Sequence, residues 1–222
     1  MHMNRRVLSR RELLVTAIGV GGITITGLGQ ATERMFTPSL ALGPFYPQIK
    51  ALDQDADLTI IKGRKVHAEG KIIHVTGRVL NVKGEPVRHA RMEIWQADSH
   101  GRYSHRSDPN KAIPDTNFQG YCVLKTDDEG RYRFKTILPA SYPGLIAGMR
   151  APHIHFEVFG KNDRTVTQVF FPGEKLNDQD TILQSLRGDK PKSAVMMRVL
   201  PPTKDMGSNE TLFGWDCVLL TG

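Results

Sequence analysis

The chain has 222 residues, 39% hydrophobic and 24% charged, which suits one sizeable folded domain and excludes an intrinsically disordered chain. Its 21 glycines and 13 prolines favour a turn-rich β architecture over a helical bundle. Of the net charge of +7, residues 1–36 carry +3 (five arginines against two glutamates) and the rest +4, with no basic run interleaved with aromatics, so nothing points to nucleic acid as a partner.

In chain order, Ser9-Arg10-Arg11-Glu12-Leu13-Leu14 comes first, opening into an uncharged run from Leu13 to Gln30. A basic start before a moderately apolar stretch is the pattern of an export signal, and the arginine pair resembles a twin-arginine signal. Residues 1–36 are therefore expected to be a leader, residues 37–222 a single domain, and the protein periplasmic or extracellular. The run is short and glycine-rich for a membrane span, which takes about 20 apolar residues; left uncleaved, it would act as a tether.

From Thr37 to Lys65 the sequence predicts irregular structure, since the prolines of Gly43-Pro44-Phe45-Tyr46-Pro47 exclude regular helix. Strands are predicted over Lys71–Val82, Pro86–Ala97, Tyr121–Thr126, Arg131–Ile137, His153–Phe159, Thr165–Phe171, Ala194–Leu200 and Phe213–Leu220, from β-branched enrichment, alternation and the turn chemistry between them. One short helix is predicted over Asp178–Leu186. Many short strands closely spaced imply an all-β, two-sheet antiparallel sandwich. The stretches Asp98–Gly120 and Pro139–Pro152 are too long for hairpin turns, and long loops on a rigid sandwich are where sites tend to sit.

His153-Ile154-His155 carries the most chemical information. On a strand, residues i and i+2 face the same way, so both imidazoles can reach one metal ion while Ile154 points into the core. Two tyrosines lie in the long loops: Tyr103 in Gly101-Arg102-Tyr103, and Tyr142 in Ser141-Tyr142-Pro143. A phenol titrates near 10 in water, but a trivalent cation favours its phenolate, and phenolate oxygen with imidazole nitrogen suits ferric iron. Arg150, three residues before His153, could hold an anionic substrate oxygen, or could be a loop arginine paired with a carboxylate. Gln168 could supply a further polar contact or a structural one. Read from residues alone, a zinc or copper protein built on the His-x-His pair, or a secreted non-catalytic sandwich of the transthyretin-like kind in which the histidines only pack, stays open. Cys122 and Cys217 are too few for a disulfide framework, and whether they pair is also open.

Several motifs in order resemble the intradiol ring-cleavage dioxygenase family: Gly43-Pro44-Phe45-Tyr46-Pro47, Gly77-Arg78-Val79, Gly84-Glu85-Pro86-Val87, Glu93-Ile94-Trp95-Gln96-Ala97, Gly101-Arg102-Tyr103, Asn117-Phe118-Gln119-Gly120, Gly130-Arg131-Tyr132-Arg133-Phe134, Tyr142-Pro143, and Arg150-Ala151-Pro152-His153-Ile154-His155-Phe156. The resemblance implies a β-sandwich holding non-haem Fe(III) on Tyr103, Tyr142, His153 and His155. It implies a catechol-type substrate cleaved by O2 between its hydroxylated carbons to a cis,cis-muconate-type product. Tyr142 would take part in substrate deprotonation, and Arg150 and Gln168 would face the substrate. The residues before Thr37 leave no room for the helical N-terminal dimerisation domain of catechol 1,2-dioxygenases, so the expectation is a protocatechuate 3,4-dioxygenase-like, single-domain exported form. Gly144 after Tyr142-Pro143, where close relatives carry Trp, leaves the ring substituents of the substrate open, as are homo-oligomerisation and the leader's cleavage site.

Overall fold

Strand β1 (Ile72–Asn81) sends Ile73, Val75 and Val79 to one side, all fully buried. That alternation is what a strand with one face on a core requires. The computed structural model describes residues 34–50, 53–145 and 148–222, and the leader expected over residues 1–36 lies outside them but for its last three. β2 (Arg91–Trp95), β3 (Tyr121–Lys125), β7 (His153–Phe159) and β8 (Arg164–Phe170) form one antiparallel sheet in the order β3-β2-β7-β8. β4 (Arg131–Ile137), β9 (Arg198–Leu200), β10 (Thr211–Gly214) and β11 (Cys217–Leu219) assemble around β1 in a second sheet. A small hairpin, β5 (Tyr142–Pro143) and β6 (Met149–Arg150), stands apart from both.

The core lies between the two sheets. Ile73, Val75, Val79 and Phe134 on one side meet Met92, Ile94, Ile154, Phe156 and Val158 on the other, and all are at most 1% exposed. Phe156 packs against Phe134 at 6.0 Å and Trp215 at 4.7 Å between ring centroids. Each such side chain contributes roughly 1.5–3 kcal/mol of burial, and together they fix which face of β7 turns outward. Cys122 and Cys217 belong to this core as free, buried thiols.

The sandwich matches the expected class, with two refinements. β1 pairs antiparallel with β4 but parallel with both β10 and β11, because those strands return to the sheet by long connections rather than hairpins. The single strand expected over Phe213–Leu220 is broken at Trp215-Asp216. Trp215 turns inward and donates Nε1–H to the Ala194 carbonyl, and the Asp216 carboxylate accepts from the Arg78 N–H at 2.9 Å, filling the gap in the ladder.

Around residue 180, the helix expected over Asp178–Leu186 is shorter. Lys175–Asp178 is a 3-10 turn, and α1 (Thr181–Ser185) starts at Asp180, whose carboxylate accepts from the N–H groups of Ile182 and Leu183. A second helix, α2 (Asp189–Ala194), ends where the strand expected over Ala194–Leu200 would begin, and that strand forms only over Arg198–Leu200 as β9. Pro191 sits in the first turn of α2, where a missing N–H costs nothing. No helix among the described residues is long and apolar enough to cross a membrane.

Candidate active site

Because Ile154, Phe156 and Val158 face the core, His153, His155 and Glu157 must face out from the sheet. They are nonetheless buried, at 1%, 2% and 5% exposure, because three irregular stretches cover that face. The first is the N-terminal segment. Leu40 N–H bonds to the Val166 carbonyl, Thr167 Oγ1 donates to Pro38 O, and Gln168 Nε2 donates to Ala41 O. The other two are the loops flanking Tyr103 and Tyr142.

Strand register sets a row across this face: Trp95 on β2 lies opposite His155 on β7, and His155 opposite Gln168 on β8. Trp95 stacks on the His155 imidazole at 4.8 Å and 10°. From above, Gly43 lies against the same ring, and a Cβ there would sit 3.1 Å from its Cε1. His155 is thus clamped between an indole and a bare backbone.

Tyr103 reaches the site from the loop after Ala97. Its N–H donates to the Asp108 carboxylate at 2.7 Å, and its ring packs on Phe45 at 4.9 Å. Tyr142 arrives on β5, where it pairs directly with Arg150 on β6. The two loops can approach only because residue 101 is glycine. Its φ is +73°, and a Cβ would lie 2.5 Å from the Ser141 carbonyl oxygen and 3.1 Å from Tyr142 Cβ.

Four polar atoms from three stretches of chain converge. Tyr103 Oη lies 3.3 Å from Tyr142 Oη, 3.5 Å from His153 Nε2 and 3.1 Å from His155 Nε2. His153 Nε2 lies 3.2 Å from both Tyr142 Oη and His155 Nε2. The Ala151 carbonyl, 2.6 Å from His153 Nδ1, accepts that nitrogen's proton, so His153 Nε2 presents a lone pair to the cluster. His155 Nδ1 is buried with no hydrogen-bond partner among the described residues.

Burial pushes the Tyr103 phenol well above its ordinary 10, and the neighbouring Tyr142 adds to this. Tyr142 is also raised by burial, against the lowering effect of Arg150. Burial, then Arg150, lowers His153 to about 3, while burial, His153 and Arg150 hold His155 well below 6.5. On protein groups alone the cluster is two neutral phenols and two neutral imidazoles, with the His153 lone pair turned inward. That arrangement repels a proton and suits a cation, which would reverse the phenol shifts. Five of the six separations among the four donors are 3.1–3.5 Å, the spacing of neighbouring ligands around a first-row metal ion bound at about 2 Å. Among the described residues no group of three or more His, Cys, Asp and Glu side chains could hold a metal ion, so a metal held by this cluster would need the two phenols as well as the two imidazoles.

Arg150 and Gln168 adjoin the cluster, engaged with protein partners. Arg150 Nε donates to Asp180 at 2.9 Å and Nη2 to Gln168 Oε1 at 2.5 Å. Gln168, fully buried, uses its other end on Ala41, so both of its polar atoms are taken. Arg150 Nη1 has no hydrogen-bond partner among the described residues. Asp180 and Trp95 complete the site and are not identifiable from sequence spacing. A cavity of about 320 Å³ beside Asp98, Arg102, Phe118 and Gln119 contains none of the four donors.

One strand further along the same face, Glu93 is 2% exposed and accepts from Tyr46 Oη at 2.5 Å and Tyr121 Oη at 2.6 Å, with Lys50 at 2.9 Å and Arg91 also in contact. Burial alone would raise its pKa, but hydrogen bonds from Tyr121, Tyr46 and Lys50 outweigh it and hold the carboxyl at about 2, against an ordinary 4.5. A carboxyl depressed on folding stabilises the fold above its unfolded pKa, and that stability drains away as pH falls from about 4.5 through about 2. Glu93→Gln is expected to flatten the pH dependence of stability in that window, measured by urea unfolding. An unchanged slope would show that Glu93 carries none of it.

Fold and site together define a β-sandwich with an outward-facing Tyr-Tyr-His-His cluster, and a family model described as Dioxygenase matches residues 42–220. Over 105 residues the chain is 47% identical to the protocatechuate 3,4-dioxygenase beta chain of Burkholderia cepacia, covering 46% of this chain and 45% of that one. It is 30% identical over 194 residues to the 6-chlorohydroxyquinol 1,2-dioxygenase of Cupriavidus pinatubonensis, covering 80% and 66%. It thus spans roughly half to two thirds of the length of these curated relatives. Among solved structures, the dioxygenase domain of a carbohydrate-binding fusion from Streptomyces sp. SirexAA-E aligns at TM-score 0.61 and 24% identity over 85% of this chain and 100% of that one. An intradiol ring-cleavage dioxygenase from Tetranychus urticae aligns at 0.65 and 18% identity, over 84% and 95%. Those two likenesses speak to the fold. The chain belongs to the intradiol ring-cleavage dioxygenase family.

Proposed function

We propose that Tyr103, Tyr142, His153 and His155 hold a non-haem iron(III) ion, and that the protein cleaves a catechol-type ring between its two hydroxylated carbons. Both atoms of O2 enter the product, a cis,cis-muconate-type diacid. The observation that carries this reading is the convergence of four donor atoms on one buried point. Bound iron(III) supplies the Lewis acidity and the electronic coupling between ring and O2 that side chains lack.

The protein's share is binding, orientation and proton management. Trp95 and Gly43 keep the His155 ring from turning, and the Ala151 carbonyl keeps the His153 proton on Nδ1. Tyr142 Oη, on the small hairpin and not on the rigid sheet, would accept a catechol proton as the phenolate that a bound cation favours. Arg150, whose Nη1 has no protein partner among the described residues, would meet a catecholate oxygen and offset its charge. Burial of the four donors keeps bulk water away from the reacting atoms.

Oxygen uptake over catechol, protocatechuate, hydroxyquinol and chlorinated catechols, with identification of the product, tests this reading. Uptake of about one O2 per ring with a muconate-type product supports it, and absence of uptake by iron-loaded protein on all of them rejects it. Gly101→Ala tests the geometry: forcing the Ser141 carbonyl away should part Tyr103 from Tyr142 and lower iron occupancy, read by metal analysis, at a stability cost of about 1–3 kcal/mol. Full iron occupancy in that variant would mean the two loops need not meet there.

A further inference from the structure

We infer that Asp180 is a positioning residue that aims Arg150 at the donor cluster and steadies His153 through the Ala151 peptide; this rests on the function proposed above.

Asp180 is fully buried, and its oxygens divide their shorter contacts between α1 and the Arg150-Ala151 segment, with Oδ1 also 3.5 Å from Arg150 Nη2. Oδ1 caps α1, accepting from the N–H groups of Ile182 and Leu183 at 3.0 Å. Oδ2 accepts from Arg150 Nε and from the Ala151 N–H, both at 2.9 Å. The Ala151 peptide is therefore held at both ends: its N–H by Asp180, and the carbonyl of the same residue by the His153 Nδ1 proton.

This explains why so short a helix stands next to the site. α1 has five residues, too few to be stable alone. It anchors the backbone around Asp180, so that the carboxylate meets the Arg150-Ala151 segment from a fixed direction. Asp180 takes Arg150 Nε and lies 3.5 Å from Nη2, Gln168 takes Nη2, and Nη1 is left without a hydrogen-bond partner among the described residues. A guanidinium with two of its three nitrogens fixed has little freedom to turn its third away. The Asp180 charge also offsets that of Arg150, 12% exposed, which would otherwise be a poorly solvated cation beside two imidazoles.

The test is a double-mutant cycle in the iron-loaded full chain: Asp180→Ser, Arg150→Ala and the pair, with iron content, thermal midpoint and steady-state kinetics on catechol. Serine can cap α1 but is too short to reach Arg150, so it separates the helix cap from the clamp. Asp180→Ser is expected to retain most of its iron and lose about ten- to a hundredfold in kcat/KM, the cost of misplacing a positioned group. In the Arg150→Ala background the same change should cost less than about twofold more, because its route to the substrate is already gone. Equal losses in both backgrounds, or an iron-loaded Asp180→Ser with wild-type kcat/KM and only a lower thermal midpoint, would overturn the inference. Should the serine variant not fold, Asp180→Asn, which keeps the volume and one acceptor oxygen, is judged by the same criteria. Wild-type protein that binds no iron, or consumes no oxygen with any catechol, would count against the proposed function instead.

Discussion

His155→Ala is expected to lose most of its iron and all measurable ring cleavage. His155 Nε2 is 3.1 Å from Tyr103 Oη and 3.2 Å from His153 Nε2, the two donors that each touch all the others. Taking the roughly 10–16 kcal/mol of four-ligand structural zinc sites as a scale, one ligand accounts for about 3 kcal/mol, a more than hundredfold loss of affinity. Nothing nearby can substitute: Trp95, stacked on the ring, offers only an N–H donor, and Gly43 has no side chain. Metal analysis, near-ultraviolet circular dichroism and oxygen uptake measured together separate loss of the site from loss of the fold. Full iron and full activity in this variant would remove His155 from the site.

Tyr103→Phe is expected to leave the fold nearly untouched and to lower turnover by about a hundred- to a thousandfold, the scale at which single electrostatic groups in active sites are felt. The substitution keeps the ring that packs on Phe45 at 4.9 Å and meets Tyr142 edge-on at 5.4 Å. It deletes one atom, Oη, which lies within 3.5 Å of the other three donors. The fold should lose no more than about 1 kcal/mol, since no long-range hydrogen bond outside the cluster depends on that hydroxyl. With one phenolate of two gone, the visible absorption of the iron-loaded protein should weaken and shift. An unchanged spectrum together with unchanged turnover would show that Tyr103 is a packing residue.

Much of this arrangement was readable before any coordinates. The i, i+2 spacing of His153 and His155 required a shared face, and alternation along β7 assigned Ile154 to the core. The tyrosines were readable only together with the histidines and the order of the motifs, because a lone loop tyrosine looks the same whether it packs or binds. The role of Gln168 was not readable: whether an amide meets a ligand or the backbone depends on Ala41, more than a hundred residues away. Asp180 was hidden for a similar reason. In sequence it lies inside the helix expected over Asp178–Leu186, and its second oxygen finds Arg150 only after β6 and α1 meet in space. The break at Trp215-Asp216 and helix α2 were missed because an apolar run says strand without saying where its ladder is interrupted, and because Gly188 and Pro191 look like loop chemistry.

The most direct measurement is metal analysis combined with the visible spectrum of the purified, folded full chain. The convergence of Tyr103, Tyr142, His153 and His155 predicts about one iron per chain and a red-burgundy protein, coloured by charge transfer from tyrosinate to iron(III). A colourless protein that stays free of iron after reconstitution would contradict it.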